Sequence, residues 1–212
     1  MNAAASLHQQ VAQFKCWASN YPENQRTGEW ECDYEQWVAL WAAALSVLQS
    51  ILPEEWSDEC SSNLLYTIAR DNETEHIVDY LSTNAEALLK LARLAIDSSE
   101  RDAKWQLAAQ LGALSARKVE AESLLLRLVH DEDEYVSRRA LLALGSLKSE
   151  QAEALAEKAW QTGQEYQRIA ALWVLRDVAS SKLGEYVLRA QEDGREYVVW
   201  NAREVQLAEE VL

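Results

Sequence analysis

The sequence predicts an all-α protein wound as an α-α superhelix from repeated helical pairs. Three observations carry this. Glu134-Tyr135, Glu165-Tyr166 and Glu196-Tyr197 recur at a spacing of 31 residues. The 212 residues include only 2 prolines and 6 glycines, amid abundant Ala, Leu, Glu and Gln, a composition that favours helix. Alternating β-branched runs are missing; Tyr197-Val-Val199 comes nearest. Repetition at a fixed period of this size means stacked units, each too small to bury its own apolar face.

The elements follow in order. Residues 3–18 carry Ala4, Leu7, Val11, Phe14, Lys15 and Ala18 at helical spacing, and Tyr21-Pro22 ends that helix. Pro22 and Gly28 mark 20–32 as a loop. A run with two tryptophans and four acids follows (Glu29, Trp30, Glu31, Asp33, Glu35, Trp37). Asp33 suits an N-cap and Glu35 the positive end of a helix dipole. The helix they open runs to Leu52, where Pro53 stops it, with Trp37, Leu40, Trp41, Ala44, Leu45, Leu48 and Leu52 on one face. A helix at 54–70 and a pair at 73–82 and 84–96 come next, separated by a turn at Asp71-Asn72. Asp97-Ser-Ser-Glu100 signals a loop and a new N-cap. First helices are then expected at 101–114, 134–147, 165–178 and 195–211, and second helices at 118–129, 150–161 and 181–191. Alanines with Gly112 and Gly145 on the first helices allow close helix approach. Residues 1–70 read as an N-terminal helical cap and 71–212 as repeats, in one continuous unit.

The pattern at Asp133, Val136, Arg138, Ala140, Ala143, Leu144 and Gly145 resembles the first helix of a HEAT repeat. It is most similar to the short bacterial kind also found in phycobilisome-lyase-type proteins. The resemblance is good at 131–147, fair at 100–114 and 165–178, and weak at 195–211, where Arg203 and Gln206 replace apolar positions. It covers roughly 100–212. The resemblance implies a HEAT-like solenoid whose second helices line the concave face.

Thirty-five acids against 20 basic residues give a net charge of −15. Such a field repels nucleic acid and anionic lipid and attracts basic surfaces. Cys16, Cys32 and Cys60 are odd in number and lack metal spacing, which suits reduced thiols and a cytoplasmic setting. The longest apolar run, Trp37 to Leu48, falls short of the ~20 residues a membrane span needs and reads as a buried helix.

The sequence holds no Gly-rich phosphate loop, no Gly-x-Ser-x-Gly elbow and no Cys/His pairing. His8, His76 and His130 stand apart; His76 with Asp79 supplies half a metal site and no second pair. The expectation is therefore no catalytic residue, no metal and no cofactor. HEAT-like DNA glycosylases are similar in holding DNA with tryptophans and an aspartate. Here Trp105, Trp160, Trp173, Trp200 and Asp177 stand in the repeats, but the charge opposes phosphate binding.

The acids give the better lead. Glu122, Glu153, Glu157 and Glu185 on second helices, with Asp131, Asp133, Glu192 and Asp193 at the turns, form a stripe that recurs with the repeat. Trp30 and Trp37 offer a second candidate surface, since aromatics anchor interfaces. Solvated helix faces and a tryptophan-pinned loop account for the same residues. The functional expectation is a non-enzymatic protein-binding module for a basic protein partner, with no nucleic acid and no membrane. Its specific form is an acidic inhibitor of immunity type that neutralises a nuclease toxin. A HEAT-like lyase or glycosylase relative, or a plain scaffold, is the alternative.

Overall fold

The computed structural model describes residues 2–26 and 30–210. Gly28 and Glu29 of the tryptophan–acid run lie outside the described residues. Those residues form twelve α-helices, short 3-10 turns and no strand, as expected of an all-α chain. The chain divides into two compact units, Met1–Gln110 and Leu111–Leu212; the sequence reading ended the cap at 70.

In the first unit α1 (Ala3–Ala18) opens on Asn2, whose side chain accepts from the Ala5 amide at 2.8 Å. Leu7, Val11, Phe14 and Ala18 are buried and Lys15 is exposed. Two expectations need correcting here. Asp33 caps no helix: Trp30–Asp33 wind into a 3-10 turn and α2 begins at Trp37 (Trp37–Ser50). The turn forms because it tucks Glu31 and Tyr34 inward, to 4% and 5% exposure. The helix expected at 54–70 is likewise broken. Pro53–Glu55 make a 3-10 turn, Trp56 is extended, and Ser57 caps α3 (Asp58–Arg70) by accepting from the Cys60 amide. Then come α4 (His76–Leu81), α5 (Ala85–Ile96) and α6 (Arg101–Leu111). α1 packs on α2 and α3, and α3 on α5.

Phe14 is the hub of this unit. Its ring, fully buried, lies 4.7–6.2 Å from those of Trp17, Trp30, Tyr34, Trp37 and Tyr66. Below the cluster, Asp71 holds the α3–α4 corner by accepting from the Ile77 amide at 3.0 Å. Its carboxyl is 3% exposed, and burial pushes its pKa up to about 6, against the pull of the Ile77 amide.

The second unit is regular. It comprises α7 (Lys118–Leu128), α8 (Glu134–Ser146), α9 (Ala152–Gln161), α10 (Glu165–Asp177), α11 (Leu183–Asp193) and α12 (Glu196–Glu210). The tightest sequential packing joins each second helix to the first helix after it: α7 to α8, α9 to α10, α11 to α12. Gly163 and Gly194 reverse the chain inside two of these hairpins at φ 73° and 75°, where glycine carries no Cβ penalty. Between hairpins the turns at Lys148-Ser149 and Ala179-Ser180 repeat each other. Lys148 and Ala179 take the left-handed conformation, and the hydroxyls of Ser149 and Ser180, both buried, accept from the amides two residues on, Gln151 and Lys182.

The first helices α8, α10 and α12 pack backbone to backbone, while the second helices stand further apart. Gly145 shows why: a Cβ there would meet Val174 Cγ2 at 3.0 Å and Val174 Cα at 3.3 Å.

Candidate functional site

All but Glu192 of the acids of the expected stripe are engaged within the fold. Glu122 accepts from Ser149 Oγ. Asp131 accepts from the Asp133 amide at 3.0 Å, and Asp133 caps α8 through the amides of Tyr135 and Val136 at 2.9 and 3.1 Å. Lys182 joins Glu153, at 2.9 Å, and Glu157. Together the two carboxylates hold its ammonium above the ordinary lysine range, and the lysine draws Glu153 down. Glu185 pairs with Arg189 one turn on, at 2.5 Å, and Glu192 is exposed. Asp193 is the most enclosed: its side chain is 3% exposed and meets Arg168 and Arg195. The Arg195 hydrogen bonds, helped by Arg168, hold its carboxyl well below the usual range despite burial. Asp193 thus ties the α11–α12 turn to α10.

Trp30 and Trp37 belong to the first unit, and both are half-buried. Trp30 stacks on Trp17 at 5.5 Å, with planes 7° apart. The Trp37 indole donates to the Glu31 carbonyl at 2.9 Å. Both rings therefore pin the 3-10 turn. Glu31 itself lies 3.8 Å from Arg70, and burial raises its pKa more than Arg70 lowers it. Cys16 and Cys32 are exposed thiols and Cys60 a buried one.

A different surface stands out on the first helices. Tyr135, Tyr166 and Tyr197 occupy the second position of α8, α10 and α12, and they are 37%, 54% and 60% exposed. Trp200, one turn beyond Tyr197, is 55% exposed. Arginines lie against two of the tyrosines and against the half-buried Trp173. Arg138 lies over Tyr135 at 4.7 Å and over Tyr166 at 5.0 Å, and Arg176 over Trp173 at 4.3 Å. Such contacts are worth ~0.5–1 kcal/mol each at exposed sites.

Buried polar rungs beneath fix the register of the three helices. Gln167 of α10 reaches Glu134 of α8 at 3.2 Å, and the Trp173 indole donates to Asn201 of α12 at 2.7 Å. Asp177, four residues after Trp173, pairs with Arg176 at 2.5 Å. The tyrosine row had a sequence signal, the 31-residue Glu-Tyr recurrence. The sequence reading used it only to find the period, because exposure is not written in spacing.

Among the described residues no group of three or more His, Cys, Asp or Glu is placed to hold a metal ion. No helix among them is long and apolar enough to cross a membrane.

The geometry is that of a helical-repeat scaffold: hairpins stacked at a fixed period, with one exposed row of side chains repeated from unit to unit. A family model described as HEAT repeats matches residues 86–202, more than half of the chain. The chain belongs to the HEAT-repeat family, whose members are typically non-catalytic modules for protein interaction. The match starts within α5, earlier than the resemblance read from the sequence. No curated protein and no solved structure matched the chain.

Proposed function

We propose that the protein is a non-enzymatic protein-binding module that docks its partner on the first-helix face of the second unit. The observation that carries this is the row Tyr135, Tyr166 and Tyr197, exposed at the same helical position in three successive repeats beside Arg138 and Trp200. Tyrosine, tryptophan and arginine are the residues that dominate binding energy at protein interfaces. Tyr135 and Tyr166 are already ordered by Arg138, so those two lose little side-chain entropy on docking.

In its narrower form the partner is basic and the protein is an acidic inhibitor of immunity type, acting on a nuclease toxin for example. Net charge supports this form: −15 steers a basic partner inward and raises its association rate. Residues such as Glu185 and Glu192 then act as rim charges, while Asp193 and Asp133 serve the fold.

The test is capture with tagged protein, comparing two variants that keep the wild-type melting temperature. Tyr166→Ala/Tyr197→Ala is expected to cut retention of the captured partner at least tenfold, as ~1.4 kcal/mol implies. Glu185→Lys/Glu192→Lys is expected to slow association and to flatten its salt dependence. Full retention by the tyrosine variant sinks the proposal. For the narrower form, the partner expressed alone should arrest growth and co-expression should rescue it; no rescue removes that form and leaves the module.

A further inference from the structure

The spacing of the tyrosine row also constrains what shape of chain docks there. Arg138 touches both Tyr135 and Tyr166, so those two rings lie no more than about 10 Å apart. Helices packed backbone to backbone, as α8, α10 and α12 are, have axes ~8–10 Å apart. At that helix spacing one ring recurs about every 8–10 Å across the face.

We propose, resting on the protein-binding reading, that the partner presents an extended, proline-rich segment carrying basic residues, laid across α8, α10 and α12. A polyproline II chain has three residues per turn and rises 3.1 Å per residue, so it repeats every ~9.3 Å. Each turn meets the next tyrosine with the same face. A β-strand repeats its face every ~6.6–6.8 Å and loses step after one repeat.

The hydrogen-bonding chemistry points the same way. A polyproline II chain makes no internal hydrogen bonds, so all its carbonyls accept. The face supplies donors: the hydroxyls of Tyr166 and Tyr197, exposed Arg203, and Arg138, whose Nε donates to Glu134 and whose guanidinium carries five N–H groups. A docked α-helix also matches the period, at seven residues or ~10.5 Å, but its carbonyls are already committed. Proline rings suit flat aromatic walls, and the segment is preordered, so it loses little entropy on docking.

At the α12 end the row opens into a groove of about 530 Å³ lined by Gly194, Glu196, Tyr197, Val199, Trp200 and Arg203. The basic residues follow from charge. Glu165 and Glu196 each immediately precede one of the tyrosines and add carboxylates alongside the rings, while Glu134 is already paired with Arg138.

The experiment uses the full chain and three labelled synthetic peptides of equal charge, followed by fluorescence anisotropy. One is Pro-Pro-Arg repeated three times, one replaces its prolines with Gly and Ser, and one is an alanine-rich helix with apolar residues seven apart. The proline peptide is expected to bind at least tenfold tighter than the other two, and Tyr166→Ala should erase that preference. Equal affinity for the proline and Gly/Ser peptides means charge attraction alone and overturns the inference. A tighter helical peptide overturns it in favour of a helical partner, as does a proline preference that survives Tyr166→Ala. If the tyrosine variants lose the captured partner while no proline preference exists, the protein-binding reading stands and this inference alone falls.

Discussion

Residues 1–110 and 111–212 each stack six helices, and they lock them by different means. In the first unit aromatic rings do the packing. Phe14 gathers five rings drawn from residues 17 to 66, helix lengths range from 6 to 16 residues, and 3-10 turns fill the gaps. In the second unit small residues do it: Ala140, Gly145, Ala170 and Ala171 let first helices touch, and turns recur residue for residue. The aromatic unit spends its rings on its own interior. The small-residue unit buries its backbone contacts cheaply and leaves its tyrosines and Trp200 outside, available to another molecule. That division is why we propose the binding surface on the repeats and not on the tryptophan-rich N-terminal loop.

Four perturbations sharpen the contrast. The largest effect belongs to Phe14→Ala, which removes the hub and should cost ~3–5 kcal/mol in urea unfolding followed by tryptophan fluorescence. A loss under 1 kcal/mol would show that the rings pack equally well without it. In the repeats, Asp193→Ala leaves Arg168 and Arg195 without their shared carboxylate. Because both arginines are partly exposed, at 25% and 36%, the expected cost is ~1–3 kcal/mol. The depressed Asp193 pKa also means that this contribution is present above the ordinary carboxylate range and fades as pH falls below it.

Asp71 in the aromatic unit behaves oppositely. Its carboxyl titrates near 6 when folded against an ordinary 3.8, so between those values the folded chain holds the extra proton. Stability should fall as pH rises from about 4 to about 6 and level off above. Asp71→Asn, which keeps an acceptor for the Ile77 amide, should flatten that slope and stabilise the protein at pH 7 by ~1–2 kcal/mol. An unchanged pH profile in the variant would contradict the assignment. The smallest effect is Gly184→Ala in the first turn of α11. A Cβ there meets nothing within 4 Å, and the gain should be ~0.5–1 kcal/mol, read as a rise in denaturation midpoint.

The same contrast explains what the sequence disclosed. The repeats were legible because their packing is periodic: Ala140, Leu141 and Leu144 fall on Ala171, Leu172 and Leu175 one repeat later, and all are buried. Helix ends in 134–193 came within two residues of expectation for the same reason. The first unit was less legible because long-range ring contacts override local capping signals. Asp33 looked like an N-cap, yet Tyr34 and Trp30 are drawn toward Phe14 and the chain turns there instead. For the candidate site, residue types were visible but pairing was not. Glu153 and Glu157 share Lys182, 25 or more residues away, and no spacing rule announces that. How closely α8, α10 and α12 approach was hidden too, since it depends on contacts between residues about 30 apart.

The central claim is that partners dock on the first-helix face, and hydrogen–deuterium exchange of the protein with and without its captured partner tests it most directly. Slowed exchange concentrated at the N-terminal turns of α8, α10 and α12, around Tyr135, Tyr166 and Tyr197, is the predicted result. Protection confined to α7, α9 and α11, or to the loop around Trp30, would contradict it and return the binding site to the acidic stripe or to the tryptophans.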